Sequence, residues 1–334
     1  MTRDVIGLDV GGANLKAAHS GGACLLRPFA LWREPAALPR VLAECLPLLP
    51  TGDRLAVTMS GELCDCFAAK REGVYRILDA AAEAAGDTPV RVWLTDGRLV
   101  DLRTAYADSP LLAAAANWLA LATWAGRLAP EGPALLIDIG STTTDIIPLV
   151  NGVPTPAGRT DPQRLRSGEL VYTGVRRTPI CALGGPGVGP LAAELFATTH
   201  DVYLALGQVP EAPGDSDTSD GRPATVEFAH ARLARMLGAD AETSSVGERL
   251  RLAEAVHRHQ VELIAEALRM VAGRLPGPPR AVILSGSGEF LAERVFERQR
   301  VLPPCRVVSL RKEMGESLSA AACAYAVAVL GAET

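Results

Sequence analysis

The chain has 334 residues, 48% of them hydrophobic and only 4% aromatic, so it can bury the cores of two lobes and is too apolar for global disorder. Its formal net charge is −5 with acids and bases mixed throughout, which excludes the extended basic surface of a nucleic-acid-binding protein. The longest apolar stretch, Leu111–Gly126, is interrupted by Asn117 and too short to span a bilayer comfortably.

The N-terminus enters a strand over residues 3–10 at once, leaving no room for a signal peptide. Seven cysteines without a framework of spacings point to a reduced, cytoplasmic protein. Within Ile6–Lys16 an apolar strand reaches Asp9, turns on Gly11 and Gly12, and resumes past Asn14. Lys16 stands just beyond that turn, either reaching a phosphate or solvated on its strand. Residues 36–49 have helical spacing, and Arg54–Met59 reads as a strand. Glu62 and Asp65 follow its end, a usual place for site residues in an open α/β sheet. Both read either as groups that orient a substrate amine or take a proton, or as caps for a helix starting near Phe67, with Glu62 leaning to substrate contact and Asp65 to capping. Cys64 and Cys66 lack a second Cys or His pair and read as small buried thiols. Gly73–Ala85 is predicted helical, Val90–Leu94 a strand, and Leu111–Leu128 one helix with Asn117 as its single buried-type polar residue.

Leu135–Ile147 repeats the N-terminal pattern: an apolar strand, Asp138, an apolar residue, Gly140, the hydroxyl-rich Ser141, Thr142 and Thr143, and a second strand. Glycine permits close backbone approach, and the loop offers amide and hydroxyl donors suited to phosphate oxygens. An acid two residues before each turn glycine can hold a hard cation against the phosphate. One such hairpin usually only turns the chain; two, far apart, suggest a phosphate chain between them. Arg176 and Arg177 follow a Thr-Gly turn and read either as an anion clamp or as a solvated loop. Leu183–Gly189 lacks the context of a dinucleotide fingerprint. Residues 208–223 read as a mobile acidic surface loop. Glu248–Leu275 is a long amphipathic helix on which His257 and His259 face apart. Ala281–Ser285 is a strand ending in Gly286, Ser287, Gly288 and Glu289, where amides at a helix start can receive an anion or base edge. Val307–Leu310 is a last strand and Ser317–Leu330 a small-residue helix.

The two hairpins and the glycine-ended strand, in this order, resemble the actin, sugar-kinase and Hsp70 fold. That resemblance implies a two-lobed, ribonuclease H-like α/β fold with duplicated mixed sheets. Its lobes would be 1–130 with a returning helix at 315–332, and 131–314. It also implies metal-facing acids at Asp9 and Asp138 and an adenosine-type loop at Gly286–Glu289. Within the hydantoinase/oxoprolinase-related branch, the runs DVGGANLK, MSGELCDCF, IDIGSTTTDIIP, YTGVRRTP, DGR at 220–222 and LSGSGEF are similar to a family tied to tetrahydromethanopterin-linked one-carbon transfer. Archaeal members are described as methanofuran-pathway synthases. The resemblance implies a transferase that joins an aminomethyl-furanmethanol diphosphate to a glutamyltyramine-type phenol and releases diphosphate, with Mg2+ as cofactor. A bacterial-type chain would use it for a methylofuran-like cofactor. Lys16, Glu62 and Arg177 are the candidates for base or cation at the phenol. An ATP-dependent kinase or ATPase, or a scaffold that has lost its chemistry, are the alternatives; ATP is possible but not required. The implied partners are small molecules, with neither nucleic acid nor membrane.

Overall fold

The structure is a computed structural model, and it describes residues 3–107, 110–185, 187–299 and 302–334. Pro186, within the glycine-rich run at 183–189, lies outside the described residues. Among the described residues, twelve strands form two six-stranded sheets. The first takes β1 (Val5–Val10), β2 (Asn14–His19), β3 (Cys24–Pro28), β4 (Arg54–Met59), β5 (Val90–Trp93) and β6 (Leu99–Asp101), in the order β3-β2-β1-β4-β5-β6. The second takes β7 (Pro133–Ile139), β8 (Thr144–Val150), β9 (Val153–Pro154), β10 (Leu170–Val171), β11 (Ala281–Ser285) and β12 (Arg306–Ser309). Its order is β10-β8-β7-β11-β12, with β9 also on β8. Each sheet therefore has the same centre: a strand carrying an acid, an antiparallel hairpin partner on one side, and a parallel strand on the other.

One core is shared by both sheets. Val5 and Ala56 of the first, and Ala134, Leu136, Ile147 and Ala281 of the second, pack with the helices Asn117–Ala125 and Ala322–Ala332. Small residues let the second helix lie against β1 so closely that a Cβ on Gly7 would collide with the carbonyl oxygen of Ala324. Gly7→Ala is expected to force the helix outward and cost about 1–3 kcal/mol, the range of overpacked cores. Thermal denaturation checks this, and an unchanged midpoint would contradict it.

The structure corrects several predicted elements. The helix predicted over Leu111–Leu128 is broken: a 3-10 turn at Pro110–Leu112 is followed by Ala115 at φ 47°, and the helix begins at Asn117. Thr95 N–H donates to Leu112 O, diverting the backbone and placing Asn117 in a first turn rather than mid-helix. The helix predicted over Ser317–Leu330 divides at Ala321 into Glu316–Ala320 and Ala322–Ala332. Residues 208–223 are fastened rather than loose. Asp215 pairs with Arg176 at 2.8 Å, Asp220 with Arg232 and Arg235, and the Ser219 hydroxyl donates to Phe196 O. All seven cysteines are free thiols, and no described helix is long and apolar enough to cross a membrane.

Candidate active site

The two hairpins close with the same bond. Gly11 N–H donates to Asn14 O at 3.1 Å, and Gly140 N–H to Thr143 O at 2.9 Å. Antiparallel register sets Lys16 opposite Asp9 in the first hairpin and Asp145 opposite Asp138 in the second. Both turns and all four of these side chains line one cavity of about 420 Å³. The acids of the two sheets thus face a common space, with Gly11, Gly12 and Asn14 on one wall and Gly140, Ser141, Thr142 and Thr143 on the other.

Charge in this cavity is unevenly compensated. Lys16 Nζ lies 3.8 Å from Asp9 Oδ2, while the buried Oδ1 of Asp9 has no hydrogen-bond partner among the described residues. Burial pushes the Asp9 carboxyl up, against the Lys16 ammonium and the Asn117 amide. Burial also works to discharge Lys16, but Asp9, Asp138 and Asp145 outweigh it and hold the ammonium charged. Asp138 is pushed up to about 6 by burial and then by Asp145, with Lys16 opposing. Asp145 in turn accepts from the buried Arg164, Nη2 to Oδ1 at 2.6 Å, and the Arg164 guanidinium lies 4.0 Å from the Trp118 ring centroid. Gly286, at φ 87°, leaves the Asp138 carboxylate its room, since a Cβ there would sit 2.7 Å from Oδ1.

The other candidates divide. Arg177 lines the cavity, its guanidinium stacked 4.2 Å from the Trp32 ring and 3.5 Å from Asp217. Glu62 and Asp65, each expected either at the substrate or as a helix cap, are placed differently. Glu62 is buried away from the cavity wall, 3.4 Å from Lys70 Nζ, which also reaches Asp161 at 2.8 Å. Asp65 lines the cavity and caps nothing, because the helix starts later, at Lys70. Gly286 and Ser287 line a smaller cavity of about 180 Å³ that shares Lys16, Asp138, Gly140 and Ser141 with the larger one. Gly288 is pressed against Ile139 and Val175. Glu289 belongs to neither cavity: its carboxylate accepts from the hydroxyls of Ser309 and Ser319 and from Arg311 N–H, bolting the chain's last quarter together. Sequence analysis gave no role to Asp145, Trp32, Leu63 or Tyr172, which line the cavity, or to Arg164, which backs it through Asp145. Asp145 alone had a local signal, standing seven residues after Asp138 as Lys16 stands seven after Asp9.

The donors suit a magnesium ion bound together with a phosphate ligand. Among the described residues no three His, Cys, Asp or Glu side chains converge tightly enough to hold a metal alone. Mg2+ commonly takes one or two carboxylates and completes its octahedron with phosphate oxygens and water. The unpartnered Oδ1 of Asp9, with Asp138 lining the same cavity, fits that pattern.

A protein-family model described as hydantoinase/oxoprolinase matches residues 53–330. The (4-{4-[2-(gamma-L-glutamylamino)ethyl]phenoxymethyl}furan-2-yl)methanamine synthase of Methanocaldococcus jannaschii is 31% identical over 334 residues, 98% of this chain and 97% of that protein. The synthase of the same name from Methanococcus vannielii is 29% identical over 201 residues, 59% of this chain and 89% of that protein. Among solved structures, nucleotide-free acetone carboxylase aligns at a TM-score of 0.55 and 10% identity, over 98% of this chain and 70% of that one. The PilM–PilN type IV pilus biogenesis complex aligns at 0.53 and 15% identity over 100% of both chains. At such identities the structural likeness carries the fold alone: the two-lobed actin, Hsp70 and sugar-kinase fold, as the hairpins implied.

Proposed function

The chain belongs to the hydantoinase/oxoprolinase family, and from that premise we propose that it is a transferase of methanofuran-type cofactor biosynthesis. Its donor is an aminomethyl-furanmethanol diphosphate and its acceptor a glutamyltyramine-type phenol. The phenol oxygen forms a bond to the furanylmethyl carbon, the carbon–diphosphate bond breaks with its electron pair on the diphosphate oxygen, and the phenolic proton passes to water. One observation carries the reading: both hairpin turns and both of their acids line a single cavity. The near full-length likeness to a synthase of such an ether supports it.

In this reading the turn amides and hydroxyls of Gly11–Asn14 and Gly140–Thr143 hold the diphosphate oxygens. Asp9 and Asp138 would hold Mg2+, which would supply charge neutralisation to the departing diphosphate. Lys16 is a cation rather than a base, because the carboxylates around it keep it protonated. It favours the phenolate of an acceptor whose ordinary pKa is about 10. Glu62, turned to Lys70, takes no part at the phenol.

Purified protein with magnesium, donor and phenolic acceptor, without ATP, is expected to form ether and diphosphate in equal amounts. Absence of ether with every phenol tried would sink the reading. A kinase or ATPase is the second reading, favoured by the smaller cavity beside Gly286 and Ser287. Calorimetry that detects neither ATP nor ADP binding removes it.

A further inference from the structure

The mouth of the large cavity carries more than the phosphate chemistry needs. Leu63 and Tyr172 are 61% and 63% exposed, and both line it. Apolar side chains left open together at a cavity rim mark a surface that a ligand covers. Trp32 stands with them, its ring beneath the Arg177 guanidinium. Among the described residues Arg177 makes one ion pair, at 3.5 Å to Asp217, so most of its donor fork is left for a ligand. Asp65, exposed on the same rim, makes no side-chain ion pair or hydrogen bond among the described residues. Cys64 lies among them with its thiol pushed up to about 11, chiefly by burial, and adds no charge of its own.

The rim is also tied to the phosphate end. The backbone N–H groups of Arg176 and Arg177 both donate to Ser141 O, at 3.0 and 2.9 Å, so Arg177 rides on the second hairpin turn. A ligand held by that turn at one end meets a fixed cation, a free carboxylate and aromatic walls at the other. An arginine whose one ion pair among the described residues is 3.5 Å long, and a carboxylate with none there, beside the half-buried Trp32 and exposed Tyr172 rings, are the complement of an aromatic compound ending in an α-amino-acid zwitterion.

We propose that this rim is the acceptor subsite: Arg177 binds the carboxylate and Asp65 the ammonium of the acceptor's amino-acid end, while Trp32, Leu63 and Tyr172 flank its ring. The identification of the ligand as the phenolic acceptor rests on the transferase reading. Two acceptors share this chemistry, a phenol bearing a γ-glutamyl amide and tyrosine itself; tyramine has the ring and the amine but no carboxylate.

The test compares kcat/KM for γ-glutamyltyramine, tyrosine and tyramine in the wild type, Arg177→Gln and Asp65→Asn, with magnesium and the furanylmethyl diphosphate. One of the two zwitterionic acceptors is expected to exceed tyramine by about 10- to 100-fold, the size of hydrogen bonds to charged groups. Each substitution is expected to shrink that preference about tenfold, mainly through KM. A wild type that favours tyramine, or a preference that both variants retain, overturns the subsite and leaves the transferase reading standing. Calorimetry of the same three compounds without donor separates the two claims. Binding of a zwitterionic compound that weakens in Arg177→Gln, with no ether from any acceptor, sustains the subsite and removes the transferase reading.

Discussion

Asp138→Asn is expected to stabilise the metal-free protein at pH 8 while cutting diphosphate release roughly 10²–10³-fold, the scale of losing one preorganised group at developing charge. Burial and the facing Asp145 carry the Asp138 carboxyl from 3.8 to about 6. A folded-state value above the unfolded one means that the native protein binds the proton more tightly. Below 3.8 both states are protonated and nothing is lost; as pH rises through 6 the native state must ionise a buried acid beside another. The shift corresponds to about 3 kcal/mol of stability lost above that window. Asparagine cannot ionise, so the variant escapes the loss. Urea denaturation at pH 4 and pH 8 is expected to show an advantage of a few kcal/mol at pH 8 and little at pH 4. A variant less stable than wild type at pH 8, or one that still turns over normally, would count against Asp138 as a strained functional acid.

Arg164→Met is expected to be the most destabilising single change near the site, at about 3–5 kcal/mol. Arg164 is 1% exposed, bonded to Asp145 Oδ1 and to Glu169 O, and stacked on Trp118. Methionine can fill the space against Trp118, but it leaves the Asp145 carboxylate buried, unpaired and directly across the hairpin from Asp138. The cost is expected to shrink as pH falls, since a protonated Asp145 no longer needs the guanidinium. Adding Asp145→Asn is expected to recover much of it. Chemical denaturation of the single and double variants checks this; equal losses in both would show that the guanidinium acts through packing instead of charge.

Those two residues also mark where the sequence stopped being legible. The hairpins were readable because a strand, an acid and a turn glycine are neighbours in the chain, and their meeting followed from repetition. Lys16 was found for the same reason. Asp145 had the equivalent place in the second hairpin, but the first hairpin opposes an acid to a lysine cation and the second opposes acid to acid. That pairing makes sense only with Arg164, which a separate helix supplies. Trp32 and Tyr172 reach the rim through loops from different sheets, a placement that local pattern does not encode. Glu62 and Asp65 were not separable in sequence: the helix after them begins at Lys70, too late for Asp65 to cap it, and Lys70 draws the Glu62 carboxylate away from the cavity. Glu289 carried the expected glycine-loop context, yet Ser309 and Ser319 claim its carboxylate.

The central claim is that the carboxylates of Asp9 and Asp138 hold a divalent cation against a diphosphate lying between the two hairpin turns. A crystal of the protein soaked with Mn2+ and inorganic diphosphate tests it most directly, since manganese can be located by its anomalous scattering. The expected result is one metal peak bridged by both carboxylates, with phosphate oxygens against the amides of the Gly11–Asn14 and Gly140–Thr143 turns. Metal and diphosphate bound elsewhere, or diphosphate in the cavity with the metal touching neither acid, would contradict it.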